Sequence, residues 1–157
     1  MGKKTVGRKS DVLVKAIIDS IKQHKGKEVV SLDLRKIETA VCDFFIICHG
    51  TSSTHLSSIV DNVRKDVSKL MKEKPWHTEG ESNKEWILMD YFDIIVHIFQ
   101  EKTRAFYNIE DLWGDAEIKN VKKERTRTVF SNESKNLISP NCPVIVSSII
   151  FPRVGHE

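Results

Sequence analysis

The segment WILMDYFDIIVHIF, residues 86–99, places three chemically versatile side chains between apolar runs. Asp90, Asp93 and His97 are residue types that bind metal ions or transfer protons. Asp93 and His97 are four residues apart and could share a strand face, whereas Asp90 lies at or before the turn. A metal site needs three or four convergent ligands, so we favour two Asp side chains that hold a turn and a half-buried strand histidine. We therefore predict no metal site.

The segment CHGTSSTHL, residues 48–56, is a second candidate because a predicted strand ends there in glycine and a helix follows. It resembles the Gly-Ser corner of nucleotidyltransferases, where backbone N–H groups at a helix start bind phosphate. Those enzymes also need two strand-borne acids, one residue apart, to hold two metal ions. The matching distance here falls on Asp61 and Val63 in a predicted helix. Phosphoryl transfer is thus disfavoured, and nucleotide binding at Gly50–Ser53 is the alternative function.

A cysteine nucleophile is the third possibility, since Cys42 or Cys48 could meet His49, His55 or His97. Cys48 and His49 are neighbours on a predicted strand and therefore point to opposite faces. The chain has three cysteines and no CxxC pair, which argues against a disulfide framework and against a zinc site. We expect reduced thiols that behave as small hydrophobes, and no catalytic residue among them.

Hydrophobic spacing predicts the elements that carry these residues. Apolar residues at helical intervals indicate a first helix, capped by Ser10 or Asp11 and ended by Gly26. Ser52 or Ser53 is placed to cap a second helix. In chain order, the other elements are strands at 29–34 and 44–50, the hairpin at 86–99 and a helix from residue 101. The order α-β-β-α-β-β-α predicts an α/β fold with a mixed β-sheet flanked by helices.

Composition bounds the class of protein. The chain has 157 residues, of which 39% are hydrophobic and 30% charged, as is typical of one soluble globular domain. The formal net charge of +3 is too mild to indicate a nucleic-acid binder. No apolar run approaches the ~18 residues of a membrane span, and no apolar signal core follows the basic extension at 1–10. We predict a cytoplasmic protein without membrane contact, whose main domain covers residues 11–116.

The chain changes character in the tail, residues 117–157. Its basic residues are Lys119, Lys122, Lys123, Arg125 and Arg127, and its prolines are Pro140, Pro143 and Pro152. The prolines argue against a long helix, so the tail is either flexible, which we favour, or adds a strand to the sheet edge. The basic stretch is either a solvated segment or a loose, salt-sensitive contact with RNA phosphates.

Aromatic residues crowd the second half of the chain and are candidates for a recognition surface. They are Trp76, Trp86, Phe92, Phe99, Phe106, Tyr107 and Trp113. Core packing is the default for each of them, yet together with Glu79, Glu81, Asp90 and Asp93 they could form an apolar patch rimmed by acid. Such a patch suits a basic protein partner, because complementary charge steers the encounter and the apolar centre holds it.

The ordered segments CDFFIICHGTSSTHLSSIVDNV and TEGESNKEWILMDYFDIIVHIFQEKTRAFYNIEDLW resemble the ribosomal silencing factor family, also called RsfS or Iojap. The matching positions are Asp43, Gly50, Ser52, Glu79, Gly80, Trp86, Asp90, Asp93, Val96, His97, Arg104, Tyr107, Glu110, Leu112 and Trp113. Ile109 stands where the family often has Leu. The resemblance spans residues 11–116, and so many ordered matches are more specific than a short motif.

The resemblance implies a nucleotidyltransferase-like fold without catalytic acids, no enzymatic activity and no cofactor. It also implies binding to the large ribosomal subunit through a basic ribosomal protein, large-subunit protein fourteen, on the face where the small subunit docks. Subunit joining is then blocked sterically, and translation falls when nutrients are short. A homodimer is a further possible assembly.

The matched residues divide into two predicted groups. The partner-binding group is Glu79, Trp86, Asp90, Asp93, His97, Phe99, Arg104, Tyr107 and Trp113. The structural group is Asp43, Gly50, Ser52 and Gly80. For two members of the first group a structural role is the alternative: Trp113 would pack the last helix onto the sheet, and Arg104 would pair with an acid inside the domain.

Overall fold

The computed structural model describes the backbone of residues 3–120 and the side chains of residues 9–119. These residues form a six-stranded mixed sheet with helices on both faces, so the predicted α/β class is confirmed. The elements are α1 (Lys3–Gln23), β1 (Lys27–Asp33), β2 (Phe44–Gly50), α2 (Ser53–Met71), β3 (His77–Glu79), β4 (Trp86–Asp90), β5 (Ile94–Gln100), α3 (Glu101–Tyr107), α4 (Ile109–Leu112) and β6 (Glu117–Asn120). Within the described part, no helix is long and apolar enough to cross a membrane.

The sheet has the strand order β3-β4-β5-β2-β1-β6. β2 and β5 pair in parallel, with Phe44 opposite Ile94 and Gly50 opposite Gln100, whereas the other neighbouring strands are antiparallel. All seven residues of β2 are buried, as its continuous apolar run predicts for a strand covered on both faces.

Two apolar layers hold the helices to the sheet. On one face, Leu13, Ile17 and Ile21 of α1 pack beside α2 against the sheet. On the other face, the connector 34–42 and the α3–α4 region cover the sheet. The 3.6-residue spacing of apolar side chains in α1 and α2 creates one buried stripe on each helix, and both stripes pack against this face of the sheet.

The first helix and the last helix differ from the prediction. α1 begins at Lys3, so Ser10 lies within the helix, and its Oγ donates a hydrogen bond of 3.3 Å to Asp93 Oδ2 instead of capping. The predicted last helix is interrupted at Asn108, whose φ of 44° is left-handed, a conformation that Asn tolerates better than most residues. Ile109 and Trp113 are nevertheless buried against the sheet.

Two edge strands complete the sheet: β3 was not assigned from the sequence, whereas β6 is an edge strand of the kind that was the alternative for the tail. β3 lies in the predicted polar loop and pairs with β4. β6 pairs antiparallel with β1, with Ile118 opposite Leu32, so the sheet continues four residues past the predicted domain limit at 116. Lys119 is exposed on β6, and the remainder of the predicted tail, including Lys122, Lys123, Arg125 and Arg127, lies outside the described residues.

Candidate functional site

Four predicted partner-binding residues form an aromatic cluster on one face of the β4–β5 hairpin. Trp86, His97 and Phe99 are buried, and Tyr107 of α3 packs over them. The Trp86 ring centroid lies 4.6 Å from that of Phe99 and 4.6 Å from that of Tyr107. These side chains therefore stabilise the hairpin from inside, and only the partly exposed Tyr107 reaches the surface.

His97 is fully buried, not half-buried as the sequence suggested. The indole Nε1–H of Trp86 donates to His97 Nδ1 at 3.1 Å, so the ring proton of the neutral imidazole is on Nε2. Burial lowers the pKa of His97 to about 3, and the histidine stays neutral. Among the described residues no group of three His, Cys, Asp or Glu side chains is placed to hold a metal ion.

Arg104 is held inside the domain, which is the structural alternative for this residue. Its Nε donates to Glu110 Oε1 at 3.0 Å, and another guanidinium nitrogen donates to the Glu28 carbonyl at 2.8 Å and to His49 Nδ1 at 2.9 Å. Glu28 has a φ of 48°, at an irregular register between β1 and β2. Arg104 thus supplies a hydrogen-bond donor to the carbonyl of a residue in a left-handed conformation. Burial, together with the charge of Arg104, lowers the pKa of His49.

Trp113 also takes the structural role that was its alternative. Its side chain is buried after α4, and its ring meets Phe45 of β2 edge-on with 5.5 Å between centroids. The contact anchors the α3–α4 region to the sheet. Trp113 therefore offers almost no surface to a partner.

The Gly50–Ser53 corner is occupied by a side chain of the protein. Ser52 Oγ accepts a hydrogen bond of 3.1 Å from His55 N and caps α2. The His55 ring turns back into the corner, where Nδ1 accepts from Thr51 N at 3.1 Å and Nε2 lies 3.0 Å from the carbonyl of His24. A Cβ on Gly50 would lie 3.0 Å from His55 Nδ1, so Gly50 makes room for the imidazole. The N–H groups of Thr51 and His55 therefore already have partners inside the chain.

The structure also shows where Asp61 and Val63 lie, the two positions at which a nucleotidyltransferase would carry its pair of metal-binding acids. Asp61 lies on α2 and pairs with Arg64, with 3.4 Å between Oδ1 and the guanidinium. Val63 is buried in the core on the other side of the helix. Neither side chain is near a strand end, so the two-metal arrangement of a nucleotidyltransferase is not built from these positions.

The β4–β5 turn separates the two Asp residues. Asp90 Oδ1 accepts a hydrogen bond of 2.7 Å from Phe92 N, which confirms that Asp90 holds the turn. Asp93 instead accepts from Ser10 on α1, and its carbonyl accepts from Asp43 N at 2.8 Å. One Asp93 carboxylate oxygen therefore contacts α1, whereas the His97 ring packs against Phe45 and Trp86 in the layer on the opposite face, so Asp93 and His97 do not share a strand face.

Two further matched positions lie along the β3–β4 edge. Glu79 is partly buried on β3, and its Oε1 is 3.2 Å from His77 Nε2. Gly80 has a φ of +85°, and a Cβ there would lie 1.9 Å from the Trp86 carbonyl oxygen. The backbone at Gly80 passes so close to the backbone at Trp86 that a side chain would not fit, and only glycine adopts this φ readily. This is a structural role.

An exposed apolar surface lies beside the turn. Trp76 and Phe92 are two of the aromatic residues that the sequence offered for a recognition patch, although neither belongs to the predicted partner-binding group, and Val41 was not a candidate. Trp76 is 78% exposed, Phe92 66% and Val41 57%. The centroids of the Trp76 and Phe92 rings are 5.7 Å apart, and Trp76 N donates to the Asp90 carbonyl at 2.6 Å. The available signal was a Phe between two Asp residues in a turn, where a large apolar side chain is unusual.

An open depression of about 540 Å³, the acidic groove, lies next to these rings. Its lining residues are Leu34, Arg35, Ile37, Ala40, Val41, Cys42, Asp43, Trp76, Asp90, Phe92 and Asp93. Three carboxylates face one guanidinium, and Arg35 is already engaged by Asp33 and by Asp11, the latter 3.6 Å away. The groove therefore combines exposed apolar surface with excess negative charge.

Asp43, predicted as a structural residue, contributes its carboxylate to the acidic groove. Burial and the nearby charge of Asp93 raise the pKa of Asp43, while Arg35 acts in the opposite direction. Two like charges held close together repel each other unless a cation lies between them. The groove is consequently suited to a positively charged group.

Comparison with known proteins adds to this geometry. The family model described as "Ribosomal silencing factor during starvation" matches residues 8–139. The ribosomal silencing factor RsfS of Halalkalibacterium halodurans is 35% identical over 104 residues, covering 66% of this chain and 87% of that protein. The chloroplastic protein Iojap of Zea mays is 36% identical over 73 residues, which cover 46% of this chain and 31% of that protein.

A solved structure supports the fold. A crystal structure of a Chromobacterium violaceum protein superimposes with a TM-score of 0.63 at 23% identity, covering 79% of this chain and 96% of that one. The family match extends over most of the chain, and the pattern of matched residues from Asp43 to Trp113 lies inside it. The chain belongs to the ribosomal silencing factor family.

Proposed function

We propose that this protein binds the large ribosomal subunit through a basic ribosomal protein, large-subunit protein fourteen, and sterically blocks joining with the small subunit. Translation is thereby repressed under nutrient limitation. The observation that carries the proposal is the exposed apolar surface of Val41, Trp76 and Phe92 beside the carboxylates of the acidic groove. Ribosomal proteins are commonly rich in Lys and Arg, so charge complementarity favours this face as the docking surface.

The proposed mechanism is steric: it requires a rigid β4–β5 hairpin and involves no covalent chemistry. The partner contacts are assigned to Asp90, Asp93 and, further along the β3 edge, Glu79. The buried residues Trp86, His97, Phe99, Arg104 and Trp113 have the task of holding the hairpin and the last helices in place. Because side chains that are already ordered lose little entropy on binding, a rigid hairpin favours tight docking. We place this non-enzymatic activity in the cytoplasm.

Secondary contacts extend the proposal. Lys119 is exposed on the edge strand β6, and a salt-sensitive contact of the basic stretch with ribosomal RNA would add to affinity. A homodimer is compatible with the same activity, provided that the acidic groove stays accessible in each copy.

Subunit association on a sucrose gradient tests the proposal. Purified small and large subunits are mixed with and without the protein, and each fraction is probed for it. We expect the protein to sediment with the large subunit and the joined-ribosome peak to shrink. Pull-down with isolated large-subunit protein fourteen identifies the direct partner. A protein that stays at the top of the gradient, with normal joining, overturns the proposal.

A charge-reversal pair tests the docking surface. Asp93→Lys changes the acidic groove, whereas Glu101→Lys changes an exposed acid that follows the far end of β5. We expect the first variant to lose large-subunit binding and the second to retain it. Thermal stabilisation by nucleotide with magnesium is measured in parallel, because a clear effect would favour nucleotide binding at the Gly50–Ser53 corner.

A further inference from the structure

We propose that the acidic groove binds an arginine side chain of the docking partner, with its guanidinium against the carboxylates of Asp43 and Asp93 and its plane against the Trp76 and Phe92 rings. This inference rests on the proposed function and specifies the chemistry of the docked residue. It also assigns the docking role to Trp76 and Phe92, two positions outside the matched family pattern.

The exposure of the aromatic pair is the first observation. Single exposed apolar residues are common on protein surfaces, but two contacting rings beside Val41 form a continuous apolar patch of the kind that marks interaction sites. Phe92 also has a φ of 78°, which is unfavourable for a bulky residue. The turn thus holds a ring in solvent at a cost in backbone energy, and binding of a partner recovers favourable contacts for it.

The arrangement of the carboxylates is the second observation. The hydrogen bond of 2.8 Å from Asp43 N to the Asp93 carbonyl brings these two residues side by side at the sheet end. Among the described residues, no side chain forms a hydrogen bond or ion pair with the Asp43 carboxylate. A cation placed between the two carboxylates would relieve their repulsion and supply the missing partner.

The choice of arginine over lysine follows from the aromatic rings. A guanidinium is planar, so it stacks on an aromatic face while its N–H groups bind carboxylates side-on. An ammonium is a compact, strongly hydrated charge and gains less from the rings. The chain contains this arrangement once already, since the Arg35 guanidinium lies 4.7 Å from the Phe44 ring centroid and hydrogen-bonds Asp33 at 2.9 Å.

Binding to purified large subunits tests the groove with three double variants. Trp76→Ala/Phe92→Gly removes the rings, and Asp43→Asn/Asp93→Asn removes the charges with little change in shape. Phe106→Ala/Glu101→Gln is the matched control, because both residues follow the opposite end of β5 and are exposed. Circular dichroism verifies that each variant is folded. We expect each groove variant to raise the Kd about tenfold or more, and the control to stay within about twofold.

Titration with short peptides tests the side-chain chemistry independently of the ribosome. The probes are acetyl-Gly-Arg-Gly-Arg-Gly amide and its lysine counterpart, followed by NMR of the tryptophan indole N–H signals. Trp76 is exposed whereas Trp86 and Trp113 are buried, so the latter two serve as internal references. We expect the arginine peptide to shift the Trp76 signal and the lysine peptide to shift it several-fold less. The Asp43→Asn/Asp93→Asn variant should lose the effect.

The outcomes separate the two proposals. Groove variants that bind large subunits like the wild type overturn the groove inference and leave ribosome binding intact. Wild-type protein that never binds large subunits overturns the proposed function, and the peptide titration then decides whether the groove prefers arginine. Equal shifts with both peptides overturn the assignment to arginine. A Trp76 signal that changes on dilution instead identifies a second copy of the chain as the occupant.

Discussion

The indole Nε1–H of Trp86 donates a hydrogen bond of 3.1 Å to Nδ1 of His97 across the β4–β5 hairpin, within the core. The bond fixes the neutral tautomer of a histidine that no solvent reaches. The hydrogen bond also joins two residues of the family pattern. From their residue types, His97 was a candidate for metal binding and both were candidates for partner binding. Their relationship is structural, and it makes the stability of the hairpin sensitive to pH.

We expect His97→Gln to reduce the loss of stability in mild acid. The folded pKa of His97 is about 3, below its ordinary value, so between pH 6.5 and 3 the unfolded chain binds a proton that the folded chain does not. Lowering the pH therefore favours unfolding, by about 2 kcal/mol between pH 7 and pH 5 from this residue. Urea unfolding at both pH values measures the difference. The exposed His77→Gln variant is the control, and a His97→Gln protein that loses as much stability as the wild type would contradict the prediction.

Arg104→Lys should destabilise the fold without altering ribosome binding of the folded fraction. A lysine cannot bond the Glu28 carbonyl, His49 and Glu110 at once, and it leaves buried acceptors without partners. We expect a loss of about 2–3 kcal/mol in the free energy of unfolding, measured by urea denaturation. Arg64→Lys, at a partly exposed pair on α2, should cost less than about 1 kcal/mol. Equal effects of the two variants would argue against a buried role for Arg104.

Gly80→Ala should be severely destabilising. The added Cβ would meet the Trp86 carbonyl oxygen at 1.9 Å, and the φ of +85° is itself unfavourable for alanine. We expect a loss of about 2–4 kcal/mol in thermal or urea unfolding. Gly114→Ala is the matched control, because its Cβ would approach only the Asp111 carbonyl oxygen, at 3.4 Å. Equal stability of the two variants would show that the Gly80 and Trp86 backbones do not approach each other this closely in solution.

Phe92→Gly should be more stable than Phe92→Ala by about 1 kcal/mol, although glycine normally costs entropy. Both variants lack the ring, so the comparison isolates the backbone strain at a φ of 78°. Denaturant midpoints of the two variants provide the measurement. An alanine variant as stable as the glycine variant would show that residue 92 does not hold this φ in solution.

The order of most elements could be predicted from hydrophobic spacing, because buried stripes repeat at 3.6 residues in helices and continuous apolar runs mark doubly covered strands. β3 was not predicted, because three residues are too few to establish an alternating pattern. Ser52, and not Ser53, caps α2, and only the folded chain distinguishes these two hydroxyls.

The exposure of individual aromatics could not be predicted, because exposure depends on what covers each face. Trp86 and Phe99 lie on a strand face that the connector 34–42 and the α3–α4 region cover, through contacts distant in sequence. Phe92 is exposed because Asp90 holds the turn with residue 92 at positive φ. Trp76 follows the helix α2 and is placed by a bond to Asp90 across the sheet edge.

The sequence by itself determined the α/β class and the family resemblance, and it supplied a list of candidate residues, because patterning and ordered motifs are local properties of the chain. Only the tertiary structure decided which of those residues are buried supports and which reach the surface. It also assembled the acidic groove from Val41, Asp43, Trp76, Phe92 and Asp93. These residues come from three separate segments, and no local pattern brings them together, since their proximity arises from strand pairing and packing across the whole sheet.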